Sequence, residues 1–313
     1  MNLTEPSNEE LHAWNHVWSE TPETVEELWN VIGQLAFSFG SESRFVWRGM
    51  SSTDHLITST LYRALQTHGI APTEANHQVN ETKMLQKARD WGLGHTQYGQ
   101  STDLQLLAEL QHHGFPTRLI DVTVNPMTAL WFACEQNPDE PGRLVAISVP
   151  NIAEVETSPT IVTAPTWDDV ENPLGAKYIA QLHLSQELKV PFLVRPTVRD
   201  ARMNAQEGLF IASSVPAEYE GTPFPSLPAP QGGQLLLSLR KLMDNLGFVE
   251  YGTGWEQYGV LGLEISPEMK KQLLPVLEKT FNRSARTIYP DMEGFVRSQR
   301  DQIEENLEED TSN

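Results

Sequence analysis

The sequence predicts an α+β domain in which strands and helices are interleaved irregularly. Short apolar runs rich in β-branched and aromatic residues, such as RFVWRGM (44–50) and RLVAISVP (143–150), read as buried strands. Between them lie segments with helical spacing and recognisable start and stop residues. The order of the two types follows no βαβ rhythm and shows no internal repeat, which argues against a doubly wound sheet or a solenoid.

The elements follow in chain order. In residues 21–39, Val25, Leu28, Ile32, Leu35 and Ala36 recur at helical spacing. This helix can start at Thr21 with Pro22 at its first position, or one turn later with Thr24 and Glu27 as a capping box. RFVWRGM then forms a strand ending at Arg48-Gly49. Residues 73–91 read as a polar helix and 103–112 as a second, stopped by Gly114 and Pro116. TRLIDVT (117–123) is expected as a strand, and NPMTALWFACEQ as a helix capped by Asn125 with Pro126 behind it. After the 143–150 strand, residues 151–186 are rich in Thr, Pro and Glu and read as surface excursions. VPFLVRP, NAQEGLFIASS and YGVLGLEISP are expected as strands. The Pro- and Gly-rich stretch Glu218–Gly233 reads as a long loop or flap. EMKKQLLPVLEKTF forms a helix despite Pro275, and MEGFVRSQRDQIEENL a last one, capped by Asp291. The expected organisation is an N-terminal extension (1–20), one domain (21–298) and an acidic end (299–313).

Composition narrows the function. With 39% hydrophobic and 20% charged residues the chain is an ordinary globular protein. A net charge of −20 repels phosphate backbones and anionic lipid, so non-specific nucleic-acid or membrane binding is not expected. No signal peptide or apolar span is visible, and Cys134 is the single cysteine, which together predict a cytoplasmic protein. There is no GxxxxGK[ST] loop, strand-linked GxGxxG, HExxH or GxSxG. His112 and His113 are neighbours on a helix and point about 100° apart, so they cannot chelate one ion together. No metal site is predicted.

Four segments carry a family pattern. They are Phe45-Val46-Trp47-Arg48-Gly49; the long run Gln111-His112-His113-Gly114-Phe115-Pro116-Thr117-Arg118-Leu119-Ile120-Asp121-Val122-Thr123 with Asn125-Pro126 and Ala129 to Ala133; Arg202-Met203 with Ala205-Gln206, Gly208 and Phe210; and Tyr289-Pro290-Asp291 with Gly294. In this order they resemble the FRG-domain family, named for a Phe-Arg-Gly signature in which Trp47 here replaces the phenylalanine. The resemblance spans residues 45–294 and touches bacterial and phage conflict systems, which implies a toxin or phage-defence effector.

A further resemblance, to ADP-ribosyltransferases, implies a split β-sheet with helical decoration and NAD as substrate. On that plan Arg48-Gly49 ends the first strand, Asp121 and Thr123 precede the A-x-x-F-A helix at Ala129, and Gln206-Glu207 form the third station. The catalytic candidates are Arg48, Asp121, Gln206 and Glu207. The nucleotide-binding candidates are Arg48, Gly49, His112, Thr117, Arg118 and Thr123. Arg48 offers a fork of donors for phosphate or ribose oxygens, and Gly49 admits close backbone approach. Asp121 or Thr123 can hold a ribose, and Glu207 can stabilise an oxocarbenium-like centre. If 206 and 207 lie on a strand, only one of them faces the cleft. An inward carboxylate favours NAD cleavage to water or an unknown acceptor. An inward amide favours a non-catalytic nucleotide- or protein-binding sensor. A weaker alternative pairs His112 with Asp121 as acid and base of a hydrolase. Each residue also has a structural role open to it: Arg48 and Arg118 as partners of Asp121, His112 as a cap, Trp47, Trp131 and the 129–133 helix as core.

Overall fold

The computed structural model describes residues 19–38, 43–96, 99–150, 154–157, 176–196, 199–217, 224–228, 259–292, 294–296 and 299. The acidic end after 299, most of the Glu218–Gly233 stretch and nearly all of the expected N-terminal extension lie outside them, as does most of the last expected helix.

The strands are β1 (Ser19–Glu20), β2 (Ser43–Met50), β3 (His95–Thr96), β4 (Gly99–Gln100), β5 (Ile120–Thr123), β6 (Gly142–Pro150), β7 (Glu154–Thr157), β8 (Phe192–Pro196), β9 (Gly208–Ala212) and β10 (Gly259–Ile265). The helices are α1 (Val25–Ser38), α2 (Thr60–Thr67), α3 (Glu74–Asp90), α4 (Asp103–His112), α5 (Pro126–Cys134), α6 (Ala176–Leu188), α7 (Ala201–Ala205), α8 (Pro267–Lys279) and α9 (Ala285–Ile288). The class is α+β. One eight-stranded sheet runs β1-β10-β6-β2-β5-β9-β8-β7, with only its two outer pairs parallel.

The sheet is nearly divided in the middle. β2 and β6 pair along eight residues, from Ser43 opposite Pro150 to Met50 opposite Arg143. β2 and β5 share a single pair, Trp47 opposite Thr123. Beyond that seam the ladder stops, and the Arg48 guanidinium takes over, its Nη1 donating to the Asp121 main-chain oxygen at 2.6 Å. A carbonyl left without a strand neighbour needs such a donor.

Alternation along the strands places three apolar clusters. Trp47, Leu144, Ala146, Leu261 and Leu263 pack with α1, α5 and α8. Val46, Val145, Ile147 and Val260 share a second cluster with Ile120, Val122, Leu209 and Ile211, so the two half-sheets are welded through their common face. Phe192, Val194, Phe210 and Ala212 pack with α3, α4 and α6. The close approach of α5 to β2 depends on Gly49: a Cβ there would lie 1.8 Å from the Ala129 carbonyl oxygen.

End signals explain most boundaries. Thr24 caps α1, accepting from the Glu27 N–H, so the later start is the one used. Thr73, Thr102, Asn125 and Ser266 cap α3, α4, α5 and α8 in the same manner. Asp291 accepts from the Gly294 N–H at 2.7 Å, the cap expected for the last helix. Three expectations are corrected. The 151–186 stretch contains β7 and the start of α6, whose Tyr178 and Leu182 are buried. NAQEGLFIASS is not one strand, because its first residues end α7 and Glu207 takes φ +50 before β9 begins at Gly208. TRLIDVT becomes a strand only from Ile120, since Thr117 and Arg118 are side-chain anchors in the preceding loop.

Candidate functional site

A cavity of about 380 Å³ opens where the ladder between β2 and β5 stops. Arg48 and Gly49 line it from β2, Asp121 and Thr123 from β5, and Gln111 and His112 from the end of α4. Ala129 and Phe132 of α5 form another wall, and Arg202, Gln206 and Tyr289 close the side formed by α7 and the residue after α9. Its volume lies near the lower end of ligand pockets, which run from about 300 to 1,000 Å³.

Arg48 is half-buried, and its Nε is shielded from solvent with no partner among the described residues. Burial holds its guanidinium below the ordinary value, and Arg63 adds to that, while Asp121 acts in the opposite direction. Asp121 is clamped at two points. Its carbonyl accepts from Arg48, and its Oδ2 accepts from Gln111 Nε2 at 3.0 Å. The carboxylate itself remains exposed. The partner of His112 is Asp200, 2.7 Å from its Nε2, so the acid–base alternative with Asp121 requires a water shared between the two. Asp200 also caps α7 through the Met203 N–H, so His112 ties α4 to α7.

The third and fourth sequence segments meet here. Arg202 lies over the Tyr289 ring at 4.6 Å and its Nη1 is 3.8 Å from Asp291. Gln206 Nε2 donates to the Ile288 carbonyl at 3.3 Å. Gln206 lines the cavity, whereas Glu207 does not. Glu207 Oε1 accepts from Arg283 Nη2 at 2.7 Å and from Asn125 Nδ2 at 2.8 Å. The strand argument for this pair does not apply, since a helix end and a left-handed turn, not a pleat, set their directions.

Of the nine expected site residues, the cavity gathers Arg48, Gly49, His112, Asp121, Thr123 and Gln206. Thr123 reaches it with its hydroxyl engaged, donating toward the carbonyls of Gln206 and Glu207. Gly49 serves the β2–α5 contact. Thr117 and Arg118 are not on the wall. Thr117 is fully buried and donates to Gln111 Oε1 at 2.7 Å. Arg118, 3% exposed, grips Glu81 through Nε at 2.9 Å and Glu74 through Nη1 at 2.9 Å. Burial opposes its charge, but Glu81, Tyr178 and Glu74 hold the guanidinium well above its ordinary value. This is a buried ion network, and the partner expected for Arg118, Asp121, is not in it.

Gln111, Phe132, Arg202 and Tyr289 line the cavity without having been expected as site residues. Their signal was present: all four stand inside the quoted segments, and Phe132 was assigned wholly to the core. Among the described residues no group of three His, Cys, Asp or Glu side chains could hold a metal ion. No helix among them is long and apolar enough to cross a membrane.

The FRG domain model matches residues 43–141, from the start of β2 to the residue before β6. The chain carries an FRG domain. That range supplies the β2, α4, β5 and α5 walls, and the rest of the cavity comes from chain beyond it. No curated protein and no solved structure matches.

Proposed function

We propose that the FRG cavity binds NAD or a related nucleotide and cleaves the bond between ribose and nicotinamide. The observation that carries this reading is the grouping, at the seam of the sheet, of two guanidinium groups, one carboxylate and two aromatic side chains: Arg48, Arg202, Asp121, Phe132 and Tyr289. Guanidinium forks suit phosphate oxygens, ring faces suit a base, and a carboxylate suits a sugar diol. The single pair joining the half-sheets is consistent with the split sheet of ADP-ribosyltransferases. The volume suits one nucleotide half, with the other half reaching the mouth.

In the reaction, the bond between ribose C1′ and the cationic pyridine nitrogen breaks, and nicotinamide leaves neutral with the bonding pair. Positive charge develops at C1′, and a water or acceptor oxygen adds there and loses its proton. Asp121 takes the stabilising role that the sequence offered to Glu207, because it is the carboxylate on the cavity wall. Gln206 contributes an amide for orientation. A cytoplasmic conflict or phage-defence role is consistent with consumption of NAD.

A second reading has an observation in its favour. Glu207 is committed to Arg283 and Asn125, so the third station presents an amide to the cavity, which suits a sensor that binds without cleaving. Titration calorimetry with NAD and ADP-ribose tests the shared premise. Both ligands should bind the intact chain, and Arg48→Ala should weaken them by roughly ten-fold or more. Absence of binding by wild type would contradict both readings.

A further inference from the structure

We infer that Gln111 is a positioning residue for Asp121, held in one orientation by a buried hydroxyl relay through Thr117. This deepens the reading of the cavity as a nucleotide site and rests on it. The relay has a fixed direction. The Leu119 N–H donates to Thr117 Oγ1 at 3.1 Å, so the Thr117 hydroxyl has an acceptor lone pair engaged and sends its proton elsewhere. That proton goes to Gln111 Oε1 at 2.7 Å. Thr60 accepts from the Thr117 N–H at 3.0 Å, and its one proton lies between Gln111 Oε1 at 3.3 Å and the Thr117 carbonyl at 3.2 Å. The Gln111 carbonyl end is thereby claimed by the Thr117 hydroxyl, and its NH₂ end must face Asp121.

Two consequences follow for the ligand. Asp121 is met by a donor from Gln111 and, at its main chain, by a donor from Arg48, so its side chain is presented as an acceptor. The part of the ligand that meets it must therefore donate, as a ribose diol does and a phosphate does not. Anionic groups are directed to Arg48 and Arg202 instead. Thr117, which never reaches the cavity, thus acts on the ligand through Gln111.

The test uses the intact, unliganded chain and the probe ADP-ribose. The side-chain NH₂ resonances of Gln111 should be shifted and protected from exchange in wild type. Asp121→Ala, a change at an exposed side chain, should abolish that signature, as should Thr117→Val, while Thr117→Ser restores it. Affinity for ADP-ribose should fall about ten-fold in Gln111→Met and Thr117→Val, and by clearly less in Thr117→Ser. A Gln111 resonance indifferent to Asp121→Ala overturns the relay. Full ADP-ribose affinity in a folded Thr117→Val that has lost the signature overturns the positioning role. If wild type does not bind ADP-ribose, the nucleotide reading fails, and the resonance arm still decides whether the relay holds Asp121.

Discussion

Acid should destabilise this protein through one buried histidine. His77 lies on α3, fully buried, with Nδ1 donating to the Thr73 carbonyl at 2.9 Å and Nε2 lacking a partner among the described residues. Burial, and then the nearby Arg118 charge, push its value down from 6.5 to about 4, against weaker support from Thr73 and Glu74. The folded state thus keeps the ring neutral where the unfolded chain protonates it. Stability from this group is complete above pH 6.5 and is lost as pH falls toward 4. The gap corresponds to roughly 3 kcal/mol, approached with a limiting slope of about 1.4 kcal/mol per pH unit. That is a large share of the roughly 5–15 kcal/mol typical of domains. Urea unfolding at half-unit steps from pH 7 to 4 measures it. His77→Phe, which keeps a ring beside Tyr62, should flatten the curve across this window whatever its effect at pH 7. An unchanged slope in the variant would refute the reasoning. Glu74, which Arg118 and the Val215 N–H hold below the usual carboxylate range despite its burial, should add its loss only at lower pH.

Three further substitutions separate scaffold from site. Arg118→Leu leaves Glu81 and Glu74 without their counter-charge and should cost about 3–5 kcal/mol in chemical unfolding; a stable variant that merely lost ligand would restore Arg118 to the site. Gly49→Ala must push α5 off β2 and should cost about 3 kcal/mol or more, read as a fall in thermal midpoint. Glu207→Gln should leave nucleotide affinity within about two-fold while loosening the Arg283 contact, since exposed ion pairs are worth about 0–1 kcal/mol; loss of all turnover in that variant would return Glu207 to the mechanism.

Much of the architecture was legible because its signals are local. Asn125-Pro126 announces α5, and alternation in Phe45-Val46-Trp47 sends its rings and its valine to opposite clusters. What escaped depends on long-range partners. α6 is masked by the Thr-, Pro- and Glu-rich composition of the stretch it ends, and its burial rests on residues such as Tyr178 and Leu182. The 206–207 step looked like strand because β9 follows directly, and nothing local shows that Glu207 turns left-handed to meet Arg283, 76 residues away. The family pattern carries Thr117 and Arg118 into the cleft together with Asp121. Their actual partners, Gln111 on α4 and Glu74 and Glu81 on α3, are set by the packing of α3 and α4. Conversely, the sequence segments that named Arg202 and Tyr289 held the missing half of the cavity, and only the fold brings them against Arg48 and Asp121.

The central claim is that this cavity cleaves NAD with Asp121 as its carboxylate. Nicotinamide release by the purified chain, compared between wild type and Asp121→Asn with folding verified for both, tests it most directly. Release by wild type that falls at least a hundred-fold in the variant, about 3 kcal/mol of transition-state stabilisation, is the predicted result. Release undiminished in Asp121→Asn, or none from a wild type that still binds ADP-ribose, would contradict it.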